Sequence, residues 1–108
     1  MILYGVKTCD TCRKAMKALG AAGHDVTFRD VRAEPLGPED IDRFLSAFGD
    51  RLVNRSSTTW RGLDESERQR PAAELLAKYP TLMKRPLIDA GGTLHLGWTK
   101  DVQAALLG

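Results

Sequence analysis

No apolar run in this chain approaches the ~20 residues that a bilayer-spanning helix needs, which excludes a helical membrane protein. Charge of one sign is also scarce. Sixteen basic and 14 acidic residues leave a net charge of +2, too small and too dispersed for a nucleic-acid footprint, so any anion site must be local. Repeats, linkers and low-complexity segments are missing. At 108 residues the chain reads as one domain, able to bury a core without staples. Its 43% hydrophobic and 28% charged residues match a folded globular composition and argue against disorder. The opening Met1-Ile2-Leu3-Tyr4-Gly5 enters a strand-like stretch with none of the regions of a secretory signal. The expected compartment is therefore the cytoplasm, where thiols are kept reduced.

Cysteine is nearly absent, and its two copies sit together in Cys9-Asp10-Thr11-Cys12. A disulfide closing so short a loop constrains the unfolded chain little, so stapling is a poor explanation. Zinc needs about four ligands, and there is no second cysteine pair. His24 and His95 have no ligand spacing to Cys9, and no metal site is expected. A redox or nucleophilic role is what remains for the pair.

The pattern of side chains gives the order of elements. Residues 2–6 read as a buried strand, and residues 10–22 as a helix with Cys12, Ala15, Met16 and Leu19 on one face and Gly20 and Gly23 as stop signals. Residues 26–31 alternate as a half-buried strand. Pro38, Glu39 and Asp40 open a second helix, whose apolar face is Ile41, Phe44, Leu45 and Phe48 and which Gly49 stops. Residues 54–60 read as a polar loop, followed by short helical pieces at 64–69 and 71–79, with Leu75 and Leu76 facing inward. Residues 86–89 and 93–96 form two strands around a glycine turn. Thr99 caps a last helix carrying Val102, Ala105 and Leu106. Two leading strands separated by a helix suggest a parallel βαβ unit, and the hairpin adds an antiparallel pair. The expected class is α/β: a thioredoxin-like fold, with a mixed four-stranded sheet and a helical insert between the second and third strands.

Cys9 falls where the first strand hands over to the first helix, so the unpaired N–H groups of the helix start point toward its sulfur. Only a thiolate is a useful nucleophile, and a free cysteine has a pKa of about 8.5. A helix N-terminus contributes about 0.3–1 kcal/mol to a nearby anion, up to ~2 when partly buried, so a cation is needed for any larger shift. Asp10 opposes the shift and Lys7 is close in sequence. Trp60 and Trp98 read as packing residues, His24 and His95 as turn and strand-surface residues, and Arg13, Lys14 and Lys17 as the solvated side of the first helix, placed to attract an acidic thiol such as glutathione.

Three blocks carry a resemblance. Ile2-Leu3-Tyr4 running into Cys9-Asp10-Thr11-Cys12-Arg13-Lys14-Ala15 resembles the start of the arsenate reductase (ArsC) family, which includes Spx and YffB branches. Leu52-Val53-Asn54-Arg55-Ser56-Ser57-Thr58-Thr59-Trp60-Arg61-Gly62-Leu63-Asp64 is similar to the loop of the YffB branch. Tyr79-Pro80-Thr81-Leu82-Met83-Lys84-Arg85-Pro86-Leu87-Ile88 is similar to the family's Arg-Pro signature. The resemblance implies that Cys9 is the nucleophile, that Arg55 and Arg85 stand near an anion or glutathione site, and that Pro86 follows a cis bond. It departs from arsenate reductases at three places. Gly5 stands where they have a histidine, Cys12 where they have a serine, and no third arginine occurs near Leu96-Gly97-Trp98. With fewer fixed donors for a multiply charged oxyanion, the reading that fits best is a thiol reductase of the YffB kind, glutathione-dependent, whose partner is glutathione or a protein thiol. In it Cys9 attacks a disulfide, Cys12 or a second glutathione resolves the adduct, glutathione is a co-substrate and no cofactor is bound. The alternatives are an Spx-like redox regulator binding the RNA polymerase alpha subunit, where Cys9 and Cys12 form a switch, and an arsenate reductase.

Overall fold

Leu3, Tyr4, Gly5 and Val6 are buried without interruption, as an interior strand requires, and β1 (Ile2–Gly5) lies inside a four-stranded sheet of order β2-β1-β3-β4. The structure is a computed structural model describing residues 1–108. Its β2 (Thr27–Asp30) runs parallel to β1, with Leu3 opposite Phe28. On the other side β3 (Leu87–Ala90) pairs antiparallel with β1, with Leu3 opposite Ile88, and β4 (Thr93–Leu96) pairs antiparallel with β3. Gly91 and Gly92 make the β3–β4 turn at φ +63° and +99°, conformations that favour glycine. This is the mixed sheet expected from the sequence.

The chain divides into two compact units, one formed by Met1–Asp30 with Arg85–Gly108 and the other by Val31–Lys84. In the first, α1 (Asp10–Ala21) buries Cys12, Ala15 and Leu19 at helical spacing. They pack with Leu3 of β1, Ile88 of β3 and Val102 of α6 (Lys100–Leu107), and Met16, Phe28, Trp98 and Leu106 close the cluster. Gly20 does not stop α1: it is helical and exposed, and Gly23 at φ +91° ends the helix instead. Ala105, expected in the core, is exposed, because Val102 and Leu106 at i and i+4 already supply the inward stripe of this short helix. His24 Nε2 lies 2.7 Å from the Leu106 carbonyl oxygen and ties the end of α1 to α6.

Thr99 does cap α6: its Oγ1 accepts from the Val102 N–H at 3.3 Å. Thr99→Ala should cost ~1 kcal/mol in urea denaturation, with Thr99→Ser close to wild type. An alanine variant as stable as wild type would remove the cap's role.

The Val31–Lys84 unit holds α2 (Pro38–Phe48), packed on α5 (Ala72–Lys78), with Ile41, Phe44, Leu75 and Leu76 buried. Residues 54–60, expected as loop, contain a turn of helix, α3 (Thr58–Arg61). Ser57 Oγ accepts from the Trp60 N–H at 3.1 Å, so the hydroxyl that made the segment look like loop caps a helix instead. Asp64 caps α4 (Glu65–Arg68) in the same way, at 2.8 Å from the Glu67 N–H. Backbone bonds from Asn54 to Leu82 and from Lys84 to Leu52, both 2.8 Å, close the unit. No helix is long and apolar enough to cross a membrane.

Candidate active site

Val6 accepts a 3.0 Å hydrogen bond from the Cys9 N–H, which turns the chain out of β1 and delivers Cys9 to the N-cap of α1. Its backbone is extended there (φ −83°, ψ 116°), and its carbonyl accepts the first helical bond, from Arg13 at 3.1 Å. Cys9 is partly exposed, while Cys12, one turn on, is fully buried, and both are free thiols.

The two sulfurs have opposite acidities. Burial works to raise the Cys9 pKa, but backbone and thiol hydrogen bonds from Cys12, the positive charge of Arg85 and the Thr11 N–H outweigh it, and the net direction is down. The helix-start donors thus favour ionisation of Cys9 relative to a free cysteine. Cys12 is pushed up to about 12, chiefly by burial; the Val6 N–H works against that rise, while donating to Cys9 and facing its charge add to it. The Cys12 thiol donates and the Cys9 sulfur accepts. Asp10 takes a hydrogen bond from Arg13 on the exposed side of the helix, where the pair does little for stability.

Arg85 precedes Pro86, and the bond between them is cis, as the resemblance implied. Pro86 is buried, and its carbonyl accepts from the Gly97 N–H at 2.8 Å, where Gly97 takes φ +84°. The Met1–Asp30 and Arg85–Gly108 unit thus holds Cys9, Cys12 and Arg85 within electrostatic reach of one another, with Pro86 next to Arg85 in the chain. Arg55 belongs to the other unit, where its guanidinium lies over the Trp60 ring at 5.3 Å and 3.9 Å from the Asp50 carboxylate. No group of three or more His, Cys, Asp and Glu side chains is arranged to hold a metal.

The helix-start donors expected at the Cys9 sulfur are the Thr11 and Cys12 N–H groups. The role of Gly5 went unread in the sequence. A Cβ at Gly5 would stand 2.5 Å from the Cys12 sulfur and 3.3 Å from Leu3 Cδ2. The glycine in place of the family's histidine was the available signal, and its physical reason is that the buried sulfur occupies the space a side chain would need.

Residues 4–106 match the ArsC family. The chain belongs to that family. An uncharacterised protein of Haemophilus influenzae is 39% identical over 109 residues, spanning 95% of this ArsC-family chain and 96% of that protein. The global transcriptional regulator Spx 1 of Oceanobacillus iheyensis is 30% identical over 105 residues, covering 92% of this chain and 80% of the regulator. A solved YffB protein superposes with a TM-score of 0.90 at 34% identity, over 99% of this chain and 98% of that one. The mixed sheet with its helices is thus an ArsC-family fold, as the three sequence blocks implied.

Because Arg85 acts on Cys9 through charge, Arg85→Ala should raise the Cys9 pKa, and Arg85→Lys should leave it near wild type. Thiolate absorbance near 240 nm against pH measures it. A Cys9 titration unmoved by Arg85→Ala would make the arginine a bystander.

Proposed function

We propose that this chain is a thiol–disulfide oxidoreductase of the reducing cytoplasm, acting as a glutathione-dependent thiol reductase with Cys9 as nucleophile. The observation that carries the reading is Cys9 at the start of α1, its thiol made more acidic by the Cys12 and Thr11 N–H groups, the Cys12 thiol and the charge of Arg85. The Cys9 thiolate attacks the glutathione sulfur of a mixed disulfide R–S–S–G. A Cys9–glutathione disulfide forms and RS⁻ leaves, to be protonated by solvent. The thiolate of a second glutathione then attacks the glutathione sulfur of the adduct, releasing oxidised glutathione and regenerating the Cys9 thiolate. The Cys12 thiol, buried and held protonated, is a poor resolving group at neutral pH, and its place in this cycle is to donate to Cys9. Arg55 is assigned with Arg85 to the glutathione carboxylates, on the strength of the resemblance alone.

Intact mass after treatment with oxidised glutathione tests the reading. Wild type should gain one glutathione, Cys9→Ser none, and Cys12→Ser one. A wild-type product lighter by two hydrogens would mean that Cys12 closes on Cys9. That outcome belongs to a second reading, favoured by the sulfur–sulfur hydrogen bond and the likeness to Spx 1: a redox-switched regulator contacting the RNA polymerase alpha subunit. Pull-down with the alpha subunit, reduced and oxidised, separates a regulator from an enzyme.

A further inference from the structure

The outer side of α1 carries a feature that the chemistry of Cys9 does not use. A cavity of about 520 Å³ is lined by Lys7, Arg13, Met16, Lys17 and Phe28. Arg13, Met16 and Lys17 share one helix face at i, i+3 and i+4, and Phe28 lies in the adjacent part of β2. Met16 and Phe28 are half-buried and rest on the core around Cys12, so the floor is apolar and fixed. The three remaining lining residues are all cations and all exposed, and no carboxylate lines the cavity. They come from two elements, α1 and the β1–α1 loop, and so border the floor from different directions. The Lys7 N–H donates to the Asp30 carboxylate at 3.3 Å, which fastens that loop to the end of β2. Lys7 precedes Cys9 by two residues, a span of at most about 7 Å.

We propose that this patch docks an acidic segment of a client protein, one that places an apolar side chain on Met16 and Phe28 and carboxylates against Lys7, Arg13 and Lys17, next to the disulfide that Cys9 attacks. The inference rests on the nucleophile reading of Cys9 and adds the substrate class: acidic protein disulfides over basic ones. Charge complementarity selects the occupant: Arg13 already holds Asp10, but a basic or neutral segment would leave Lys7 and Lys17 without a carboxylate beside its apolar anchor. Because only Thr8 separates Lys7 from Cys9, a chain seated over the floor lies within a few residues' reach of the Cys9 sulfur.

Two measurements test it. The first is anisotropy of fluorescein-labelled, cysteine-free peptides on the Cys9→Ser protein, which reads docking without chemistry. An Asp-Glu-Leu-Glu-Asp peptide should bind at least ~10-fold more tightly than its lysine counterpart at low ionic strength. The difference should shrink at high salt and vanish in Lys17→Glu. The second compares glutathionylated cysteine peptides with acidic or basic flanks on the Cys9-containing protein, against bis(2-hydroxyethyl) disulfide as a neutral reference. The acidic-to-basic rate ratio should exceed ~10 in wild type and fall to one or below in Lys17→Glu; taken within one variant, the ratio cancels any change in Cys9 itself. Equal binding of the two peptides, or a preference that survives Lys17→Glu, would overturn the proposal. So would a concentration-dependent dimer abolished by Lys17→Glu, which would give the patch to a second copy of the chain, or a charge preference confined to oxidised glutathione. If the acidic peptide binds but no disulfide exchanges, the docking surface stands and the reading of Cys9 fails.

Discussion

Iodoacetamide at pH 7 is expected to alkylate Cys9 and leave Cys12 unmodified until the chain is unfolded. A thiol with its pKa pushed up to about 12 is only ~10⁻⁵ ionised at pH 7, whereas one at the ordinary ~8.5 is a few per cent ionised. Ionisation alone therefore separates the sites by more than ~10³, since Cys9 lies on the low side of the ordinary value. Burial adds to this, because Cys12 is 0% exposed. Peptide mapping of the labelled protein checks it, and comparable labelling of the two would contradict the geometry of both. The same shifts set a pH profile for stability. Cys9 is lowered, so below pH ~9 the unfolded chain binds more protons at this site, and stability rises with pH as it nears 9. Cys12 is raised, so between about 9 and 12 the native state holds the extra proton, and stability falls by up to ~1.4 kcal/mol per pH unit. Urea midpoints from pH 8 to 10 should show the alkaline loss in wild type and less of it in Cys12→Ala.

The elements legible in the sequence were those whose signal is local. The inward stripe of α1, the Pro38 start of α2, the glycine turn of the hairpin and the Thr99 cap each declare themselves within a few residues, and each is found in place. The 54–60 segment failed for a definite reason: a serine that caps one turn of helix has the same composition as a loop, and a four-residue helix has no periodicity to show. Gly20 failed because an exposed helical glycine looks like a stop, whereas only Gly23 takes a positive φ. At the site, the position of Cys9 before a helix followed from sequence order. The Arg85–Pro86 bond came from resemblance. What could not be read is contact between residues on different elements. Nothing within seven residues of sequence says that the Cys12 sulfur lies against the backbone of β1, and the cations of α1 give no sign that Phe28 of β2 forms a floor beside them.

That contact between Gly5 and Cys12 yields the sharpest test of how the site is held. Carbon and sulfur do not approach to 2.5 Å without covalent bonding; an ordinary contact is more than 1 Å longer, so Gly5→Ala forces the sulfur or the strand to move. Both are packed: Leu3 and Cys12 are 0% exposed, and Ala15 and Ile88 fill the space behind them. Gly5→Ala should therefore cost ~1–3 kcal/mol by overpacking, and Gly5→His, which restores the histidine of arsenate reductases, should cost more. The remedy is specific. With Cys12→Ala the sulfur is gone, and the closest atoms to the new methyl are the residue 12 Cβ at 3.2 Å and Leu3 Cδ2 at 3.3 Å, which need shifts of only tenths of an ångström. The double variant Gly5→Ala/Cys12→Ala should thus be more stable than the two single losses added together, by ~1 kcal/mol or more. The alanine at 5 should also disturb Cys9, because the displaced sulfur is one of the donors that lower its pKa. Alkylation of Cys9 near pH 7 should slow in Gly5→Ala. If the two losses simply add and Cys9 keeps its reactivity, then β1 yields to the methyl and the sulfur is not held in place by the absence of a side chain at Gly5. If they couple as expected, the glycine and the buried cysteine form one unit, and the donor that sustains the Cys9 thiolate depends on a residue with no side chain.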